Sequence, residues 1–256
     1  MKLRNYLIAV LVLAVAVFVV MGIVKSHNRK CDAMEIHVVQ AGSNTMLSEN
    51  GVRQMIEKSP ANPLGRPTRN INRCDIEEVL KHNHWFNSIE EFTVSGSVLK
   101  MTVSTKSPIA EVFPENSEPY LLGDNGELLP DDTPCQDLVV ISGHITTGYS
   151  PGKNVLQNLN DTALWNAYQV AHYLQNSPDD KAQFPQVMVR PDGQIELFSN
   201  LGHHTVLLGD ASNLPEKFSN IASAYSSILC IGTENYSSLD ARFTNRIYAH
   251  KTAKNQ

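Results

Sequence analysis

Histidine is the first residue type to consider for chemistry, with nine copies in 256 residues. His82 and His84 lie two positions apart at the end of a predicted helix, where side chains at i and i+2 point in different directions. His203 and His204 are adjacent at the start of a predicted strand, where neighbouring side chains point to opposite faces. No glutamate stands at metalloprotease spacing from either pair. We therefore expect no metal site.

Motifs for nucleophilic catalysis and phosphate binding are missing from the sequence. It contains no Gly-x-Ser-x-Gly elbow, no protease-type cysteine signature, no Gly-x-Gly-x-x-Gly and no Walker loop. The sequence therefore predicts a protein that is not an enzyme and uses no cofactor. Adjacent acids occur four times, and we assign them to a helix surface, a strand start and two turns, all solvated: Glu77-Glu78, Glu90-Glu91, Asp131-Asp132 and Asp179-Asp180.

The four cysteines are Cys31, Cys74, Cys135 and Cys230. They are widely spaced and form no Cys-x-x-Cys pair, which excludes a closely spaced zinc knuckle. In an oxidising compartment one or two disulfides could form, with three connectivities. Buried or half-exposed free thiols are the interpretation that we favour.

The charge balance restricts the class of partner. Acidic residues outnumber basic ones, 26 to 21. Three of the basic residues, Lys2, Arg4 and Lys25, precede Ser26, so the rest of the chain is more acidic still. Nucleic-acid binding needs clustered positive charge. The balance therefore argues against a nucleic-acid interface and against broad adhesion to anionic lipid.

Recognition by shape remains for a chain without catalytic motifs. A β-rich domain can bind a partner by pairing the edge of its sheet with a strand of another chain. The last predicted strand, Arg246–Lys251, is the best candidate for such an edge because it is short and mixes apolar with cationic residues. Cationic residues on an edge strand also prevent unwanted pairing with other chains. The alternative is therefore an edge that is protected from pairing and binds no partner.

Local signals in the first hundred residues predict a small unit of three strands and two helices. A short strand over Glu35–Gln40 precedes a helix with Ser48 as its N-cap. A proline-rich, exposed loop follows over Ser59–Arg69, and Asn72 then caps the second helix. Alternation of apolar and polar residues over 92–103 predicts a hairpin with one solvated face. The predicted order is β-α-α-β-β.

From Ser107 onward, the pattern changes to short strands and turns with two helices inserted. One helix has Asn160 as its N-cap and ends near Asn176, and the other has Pro215 in its first turn. We predict a mostly antiparallel β domain, and the chain as a whole falls in the α+β class. Strands are predicted over Ile109–Phe113, Pro119–Leu122, Glu127–Leu129, Leu138–Ile141, Gln186–Val189, Gln194–Phe198, His204–Leu208, Leu239–Phe243 and Arg246–Lys251.

An apolar run near the start, Tyr6–Val24, contains no charged residue. As a helix it is about 28 Å long, close to the roughly 30 Å hydrocarbon core of a bilayer. A cleaved signal peptide is the alternative, but Lys25 and further basic residues follow the run instead of a small-x-small cleavage site. We therefore expect an uncleaved transmembrane helix. The flanking charges tie under the positive-inside rule, and the short tail before the run favours a cytoplasmic N-terminus.

Six short motifs occur in one order along the chain, and each is weak alone. They are Val39-x-x-Gly42 with Leu47-Ser48, Ile76–Leu80, Lys106–Ala110, Tyr120–Pro130, Leu138–Gly143 and Leu239–Asn245. In this order, over roughly Lys2 to Lys251, they resemble the FtsQ/DivIB cell-division family. Phe243 stands where that family more often has tyrosine, and phenylalanine has no hydroxyl group to form a hydrogen bond.

The resemblance implies a domain organisation and a function. The function is a non-enzymatic divisome scaffold in the bacterial inner membrane at the division septum, with one membrane helix and the bulk in the periplasm. A POTRA-containing envelope assembly or docking factor is the alternative. The implied segments are a cytoplasmic tail (1–5), a transmembrane helix (6–25), a linker (26–33), a POTRA domain (34–106), a β domain (107–252) and a C-terminal tail (253–256).

The resemblance also implies partners and the residues that bind them. Such scaffolds hold an FtsB/FtsL-like coiled-coil pair by β-strand addition, and so help to recruit and regulate the septal peptidoglycan synthase. The implied partner-binding residues are Arg242, Phe243, Arg246, Ile247, Tyr248, Ala249, His250 and Lys251.

Overall fold

The structure is a computed structural model that divides into two compact units, residues 1–106 and 107–256. It describes Val15, Val17 and residues 29–40, 47–157, 161–201, 204–228, 232, 235–243 and 246–252. Among these residues, no helix is both long enough and apolar enough to cross a membrane. The predicted transmembrane helix lies outside the described residues, apart from the two valines.

The first unit contains a three-stranded sheet and two helices, in the predicted order β-α-α-β-β. The sheet has the order β1-β3-β2, with β1 parallel and β2 antiparallel to the central strand. Buried aliphatic side chains from both helices and all three strands form its core. The elements are β1 (Ala33–Val39), α1 (Glu49–Glu57), α2 (Arg73–Leu80), β2 (Phe86–Ser95) and β3 (Val98–Thr105).

Both predicted helix caps of this unit are confirmed. The Ser48 hydroxyl accepts a hydrogen bond from the backbone N–H of Gly51 at 3.0 Å, and the Asn72 side chain accepts one from Cys74 at 3.0 Å. These bonds satisfy amides that have no partner inside the helix. The caps explain why both helices begin where the sequence predicts.

The loop between α1 and α2 differs from the prediction in part. It contains a short 3-10 helix, Thr68–Asn70. It is not fully exposed, because Pro63 is buried and Gly65 donates its N–H to the carbonyl of Cys31 at 2.8 Å. The loop therefore lies along the segment that leads into β1.

The second unit is built on one nine-stranded sheet of mixed direction. Its order is β12-β11-β10-β9-β8-β7-β4-β5-β6. Five neighbouring pairs are antiparallel and three are parallel. The strands are β4 (Pro108–Val112), β5 (Tyr120–Gly123), β6 (Leu128–Pro130), β7 (Val139–Gly143), β8 (Gln186–Val189), β9 (Ile195–Phe198), β10 (Thr205–Gly209), β11 (Tyr236–Phe243) and β12 (Arg246–Lys251).

Three helices of this unit are described, where the sequence predicted two. They are α3 (Thr162–Gln175), α4 (Pro178–Gln183) and α5 (Leu214–Ile228). The additional helix is α4, which begins with Pro178 and carries Asp179 and Asp180 in its first turn. Proline fits the first helical position, and acids there are favoured by the helix dipole. The assignment of the two aspartates to a turn was therefore wrong.

Two smaller predictions are also corrected. The cap of α3 is Asp161, whose carboxylate accepts the N–H of Leu164 at 3.1 Å, whereas the predicted cap, Asn160, lies outside the described residues. The Glu90-Glu91 pair lies inside β2 and not at a strand start, because β2 already begins at Phe86.

The core of the second unit lies between the helices and one face of the sheet. Alternate residues of β8 and β9 show this: Val187 and Leu197 are fully buried, whereas Met188 and Glu196 on the other face are partly exposed. Buried residues of α3 and α5 belong to the same apolar cluster. The sheet therefore has one face covered by helices, and β12 lies at one end of it.

Candidate functional site

The predicted strand Arg246–Lys251 is β12, the terminal strand of the nine-stranded sheet. It pairs antiparallel with β11, with Leu239 opposite Ala249 and Asp240 opposite Tyr248. In the sheet as described, its other side has no neighbouring strand. The strand therefore has the geometry that strand addition requires. Binding of a partner by these residues remains a prediction.

The direction of its main-chain groups follows from one hydrogen bond beyond its end. Thr252 donates its N–H to the carbonyl of Asn235 at 2.9 Å, so its amide faces β11. Main-chain groups alternate in direction along a strand, and both groups of one residue point to the same side in an antiparallel pair. The N–H and C=O groups of Ile247, Ala249 and Lys251 therefore face away from β11.

The side chains of β12 divide between the two faces of the sheet. Ile247 is half-buried and packs against the apolar core on the helix-covered face. The other five residues of the strand are exposed. Alternation places Arg246, Tyr248 and His250 on the open face of the sheet. Only Ile247 is thus needed to hold the strand in place from the core side.

An aromatic pair lies beside this edge. The rings of Phe243 and Tyr248 meet edge to face, with centroids 5.3 Å apart and an interplanar angle of 79°. They are 50% and 47% exposed. The Arg242 guanidinium carbon lies 5.8 Å from the Phe243 ring centroid. Exposed aromatic and arginine side chains are enriched among the residues that dominate binding energy at interfaces.

Arg242 is held in place by a buried carboxylate that sequence reasoning did not include. Its Nε and Nη2 donate to the two carboxylate oxygens of Asp240 at 2.9 and 2.6 Å, and the Asp240 side chain is only 10% exposed. These hydrogen bonds lower the pKa of Asp240 below its ordinary value. Asp240 and Arg242 are two positions apart on one strand, which puts both side chains on the same face. This spacing was the signal in the sequence that could have identified Asp240.

Two more residues fix Arg242 and could not be found from the sequence. Its Nη1 donates to the side-chain oxygen of Gln194 at 3.2 Å. Its aliphatic stem lies over Gly209, where an added Cβ would come within 2.9 Å of Cγ. Gly209 also has a φ of +79°, a region that favours glycine. Neither residue is near Arg242 in sequence, so no local pattern indicates the contact.

The cationic residues of the edge differ in whether a described acid pairs with them. Within the described parts of the chain, Arg246 and Lys251 form no ion pair, whereas Arg242 pairs with Asp240. Arg246 and Lys251 are both exposed. Unpaired cations at a strand edge attract an acidic partner and repel a second copy of the same strand.

The histidines and cysteines do not form a metal centre in the described residues. No group of three or more histidine, cysteine or acidic side chains there could hold a metal ion. Cys31, Cys74 and Cys135 are free thiols. Burial, followed by the charges of Asp131 and other nearby acids, raises the pKa of Cys135 to about 11. The remaining residues of these predictions, His203 and Cys230, lie outside the described residues.

Comparison with known families assigns both units. Residues 107–249 match the family described as FtsQ/DivIB, C-terminal related. Residues 29–104 match the POTRA-like domain. No curated protein matches the chain. The resemblance drawn from the six sequence motifs is therefore confirmed at the level of the family.

Proposed function

The chain belongs to the family described as FtsQ/DivIB, C-terminal related, and from this membership we propose that it is a non-enzymatic scaffold of the bacterial division machinery. Domains of this family and POTRA-like domains are typically non-catalytic. The proposed partner is an FtsB/FtsL-like coiled-coil pair, bound through β12. Through this pair the scaffold helps to recruit and regulate the septal peptidoglycan synthase.

The single observation that supports this binding mode is the orientation of β12. Its outer side carries the N–H and C=O groups of Ile247, Ala249 and Lys251, which an added antiparallel strand would pair with. Each main-chain hydrogen bond contributes about 0.5–1.5 kcal/mol net. These bonds fix the register of the partner but carry little information about its sequence.

Selectivity is assigned to the side chains around the edge. Phe243 and Tyr248 offer a rigid, exposed aromatic surface, and Arg242 retains guanidinium N–H groups beyond those that Asp240 and Gln194 occupy. Arg246 and Lys251 favour acidic residues on the partner. Exposed ion pairs of this kind contribute about 0–1 kcal/mol each, so the aromatic residues are the main anchors.

The proposed location follows from the family and from the apolar run near the start of the chain. The run Tyr6–Val24 would anchor the protein in the inner membrane with its N-terminus in the cytoplasm. Both folded units would then lie in the periplasm, close to the septal membrane. Anchoring restricts the scaffold to two dimensions and raises its effective concentration towards membrane-bound partners.

Ala249→Pro is the sharpest test of strand addition. Proline removes an N–H that faces away from β11, and edge strands tolerate proline at such positions. Ile247 is less suitable because its side chain packs on the core. The loss of one main-chain hydrogen bond and the steric obstruction should weaken capture of the FtsB/FtsL-like pair at least about tenfold. Affinity measured by biolayer interferometry with the full chain in detergent gives the result.

Ala249→Thr is the matched control, because it keeps the N–H and suits a strand. It should bind like the wild type, and hydrogen exchange should show β11 intact in both variants. Equal affinity of the proline variant and the wild type would refute strand addition at β12. In live cells, a fluorescent fusion should form a mid-cell band. Uniform envelope labelling would favour the alternative, an assembly or docking factor.

A further inference from the structure

His204 is a buried histidine that the proposed binding edge does not use. It directly precedes β10 and is only 2% exposed. Its Nε2 forms a short hydrogen bond with the hydroxyl of Tyr225 in α5. Its Nδ1 is buried and has no hydrogen-bond partner among the described residues. Among the described residues, the ring therefore has one nitrogen with a hydrogen-bond partner and one without.

The described side chain that contacts the His204 ring, Tyr225, is uncharged. Tyr225 covers one side, with ring centroids 5.3 Å apart, and Phe184 at the end of α4 meets Tyr225 edge to face at 6.0 Å. The Tyr225 hydroxyl also interacts with Ser199 and Gln183. Among the described residues, Tyr225 is the titratable group in contact with the imidazole. The charged side chains of α4 have other surroundings: Asp180 interacts with Tyr173, Lys181 donates to the carboxylate of Asp137, and Asp179 is exposed. Burial alone lowers the pKa of His204 below its ordinary value.

This contact lies between α5 and the strands that support β12. Thr205, the next residue, is opposite Ser238 of β11, and Ser238 is opposite His250 of β12. The helix α5 packs against both β11 and β12, and Tyr225 and Ile247 belong to one apolar cluster. The hydrogen bond between His204 and Tyr225 therefore fastens α5 to the sheet next to the binding edge.

We infer that His204 and Tyr225 form an acid-sensitive latch that holds α5 against the sheet, and that opening this latch loosens β11 and β12. The latch itself follows from the structure. Its effect on partner binding rests on the proposed function of β12.

The chemical basis is the number of N–H groups on the ring. Neutral imidazole has one N–H, and imidazolium has two. After a proton is bound, Nε2–H still has the Tyr225 oxygen as its acceptor. Among the described residues, the second N–H, on Nδ1, has no acceptor and the positive charge has no adjacent carboxylate. Opening the latch exposes the ring to water, where both N–H groups are solvated.

The direction of the pH dependence follows from the lowered pKa. Above an exposed-histidine pKa of about 6.5, both closed and open forms are neutral and the latch is fully stabilised. As the pH falls below that value, the open form binds protons first, and opening becomes more favourable. If the closed form stays neutral at pH 5, the opening equilibrium increases by up to about 30-fold relative to pH 7.5.

Hydrogen exchange on the full chain in detergent at pH 7.5 and pH 5.0 tests the latch. After correction for intrinsic exchange, protection of the α5 segment Ile221–Ser227 should fall by about ten- to 30-fold at pH 5.0. Protection in β12 should fall with it, whereas β3 of the first unit serves as an internal reference and should not change. His204→Gln keeps a side-chain group near the Nε2 position but cannot titrate, so it should abolish the acid response.

His172→Gln is the matched control, because His172 is an exposed histidine of the same unit, and it should respond like the wild type. An equal loss of protection in His204→Gln and the wild type would overturn the proposal, as would no loss in either. Should His204→Gln not fold, NMR titration of the histidine rings in the wild type decides instead. The protonation midpoint of His204 must then coincide with the loss of α5 protection. Undiminished partner capture by Ala249→Pro would refute strand addition at β12 but would leave this hydrogen-exchange result unaffected, so the two proposals can fail separately.

Discussion

Lys217→Met should destabilise the second unit strongly, because Lys217 is a buried lysine with three acceptors. Its side chain is 8% exposed. Nζ donates to the carbonyl of Leu208 at 3.0 Å, to the carbonyl of Asp210 at 2.8 Å and to the Asp210 carboxylate at 2.8 Å. These bonds join the first turns of α5 to the end of β10, where Gly209 lies under the stem of Arg242. The lysine thus supports the frame of the candidate site.

The expected loss in unfolding free energy follows from the groups that lose their hydrogen-bond donor when methionine replaces Lys217. Two carbonyls lose their donor, that of Leu208 in a buried contact and that of Asp210 in a partly buried one; a buried acceptor without a partner costs about 1–3 kcal/mol, and a partly buried one costs less. The Asp210 carboxylate is 65% exposed, so its loss is screened by water and contributes at most about 1 kcal/mol. Methionine preserves the apolar stem. We therefore expect the free energy of unfolding of the second unit to fall by about 3 kcal/mol. For a unit of this size, this corresponds to a melting temperature lower by about 6–12 °C.

The assay is urea unfolding of the full chain. Hydrogen exchange with mass spectrometry monitors the unfolding, so that residues 107–252 are reported separately. Lys81→Met is the control: Lys81 lies 3.1 Å from Glu77 but is 62% exposed, so its loss should cost about 0–1 kcal/mol. Equal effects of the two substitutions would refute the reasoning, because burial and the carbonyl acceptors would then contribute nothing.

The ion pair between Lys217 and Asp210 also makes the stability of the second unit depend on pH. Hydrogen bonding to Lys217, then to Ser212, lowers the pKa of Asp210 to about 2. A lowered carboxyl pKa gives stability that is fully present above the ordinary value of 3.8 and is lost as the pH falls towards 2. The difference between the wild type and Lys217→Met should therefore be larger at pH 6 than at pH 2.

Two further predictions concern backbone space and electrostatics. Gly143→Ala should destabilise the second unit by about 3 kcal/mol or more, because the added Cβ would overlap the backbone carbonyl oxygen of Val189 in β8. Gly152→Ala, with φ +74° but open space, should cost only about 1 kcal/mol in thermal unfolding. Arg242→Met should raise the pKa of Asp240 in carboxyl NMR titrations, whereas Arg190→Met, a similarly exposed arginine, should not; an unchanged Asp240 would contradict the ion pair.

The first unit could be predicted well from sequence because its signals are local. Ser48 and Asn72 each satisfy an amide two or three residues away, so the side chain that begins each helix can be identified from the sequence. The hairpin of β2 and β3 is also local, since alternation fixes which residues face the core. The start of β2 at Phe86 was missed because two register shifts interrupt its alternation.

The second unit was predicted less completely because its arrangement depends on long-range pairing. The strand intervals were largely found, and β8 and β12 have the predicted bounds. The parallel pairing of β10 with β11 joins strands separated by the whole of α5, and alternation says nothing about which strand lies next to which. The short α4 was missed because six residues show too little helical periodicity.

The candidate site also combines features that local sequence patterns predict with contacts that depend on long-range pairing. Local alternation was enough to predict β12, and the nearby aromatic pair also comes from adjacent strands. Gln194 and Gly209 contact Arg242 only because β8–β9 and the end of β10 fold back towards β11. The residues that hold Arg242 in place are therefore harder to predict from the sequence than Arg242 itself.

Under the proposed function, the charges of β12 favour an acidic strand over a second copy of β12 at its edge. A free edge with outward amides would pair readily with a second copy of itself, because main-chain bonds do not depend on sequence. Two antiparallel copies would place four cations, two Arg246 and two Lys251, along one shared edge, and like charges within about 10 Å repel each other at ordinary ionic strength. An acidic strand gains the same main-chain bonds without that repulsion. Under the proposed function, a contribution of at most about 1 kcal/mol from each exposed ion pair is then sufficient, because the charges disfavour the second copy while the aromatic residues and the backbone supply the affinity.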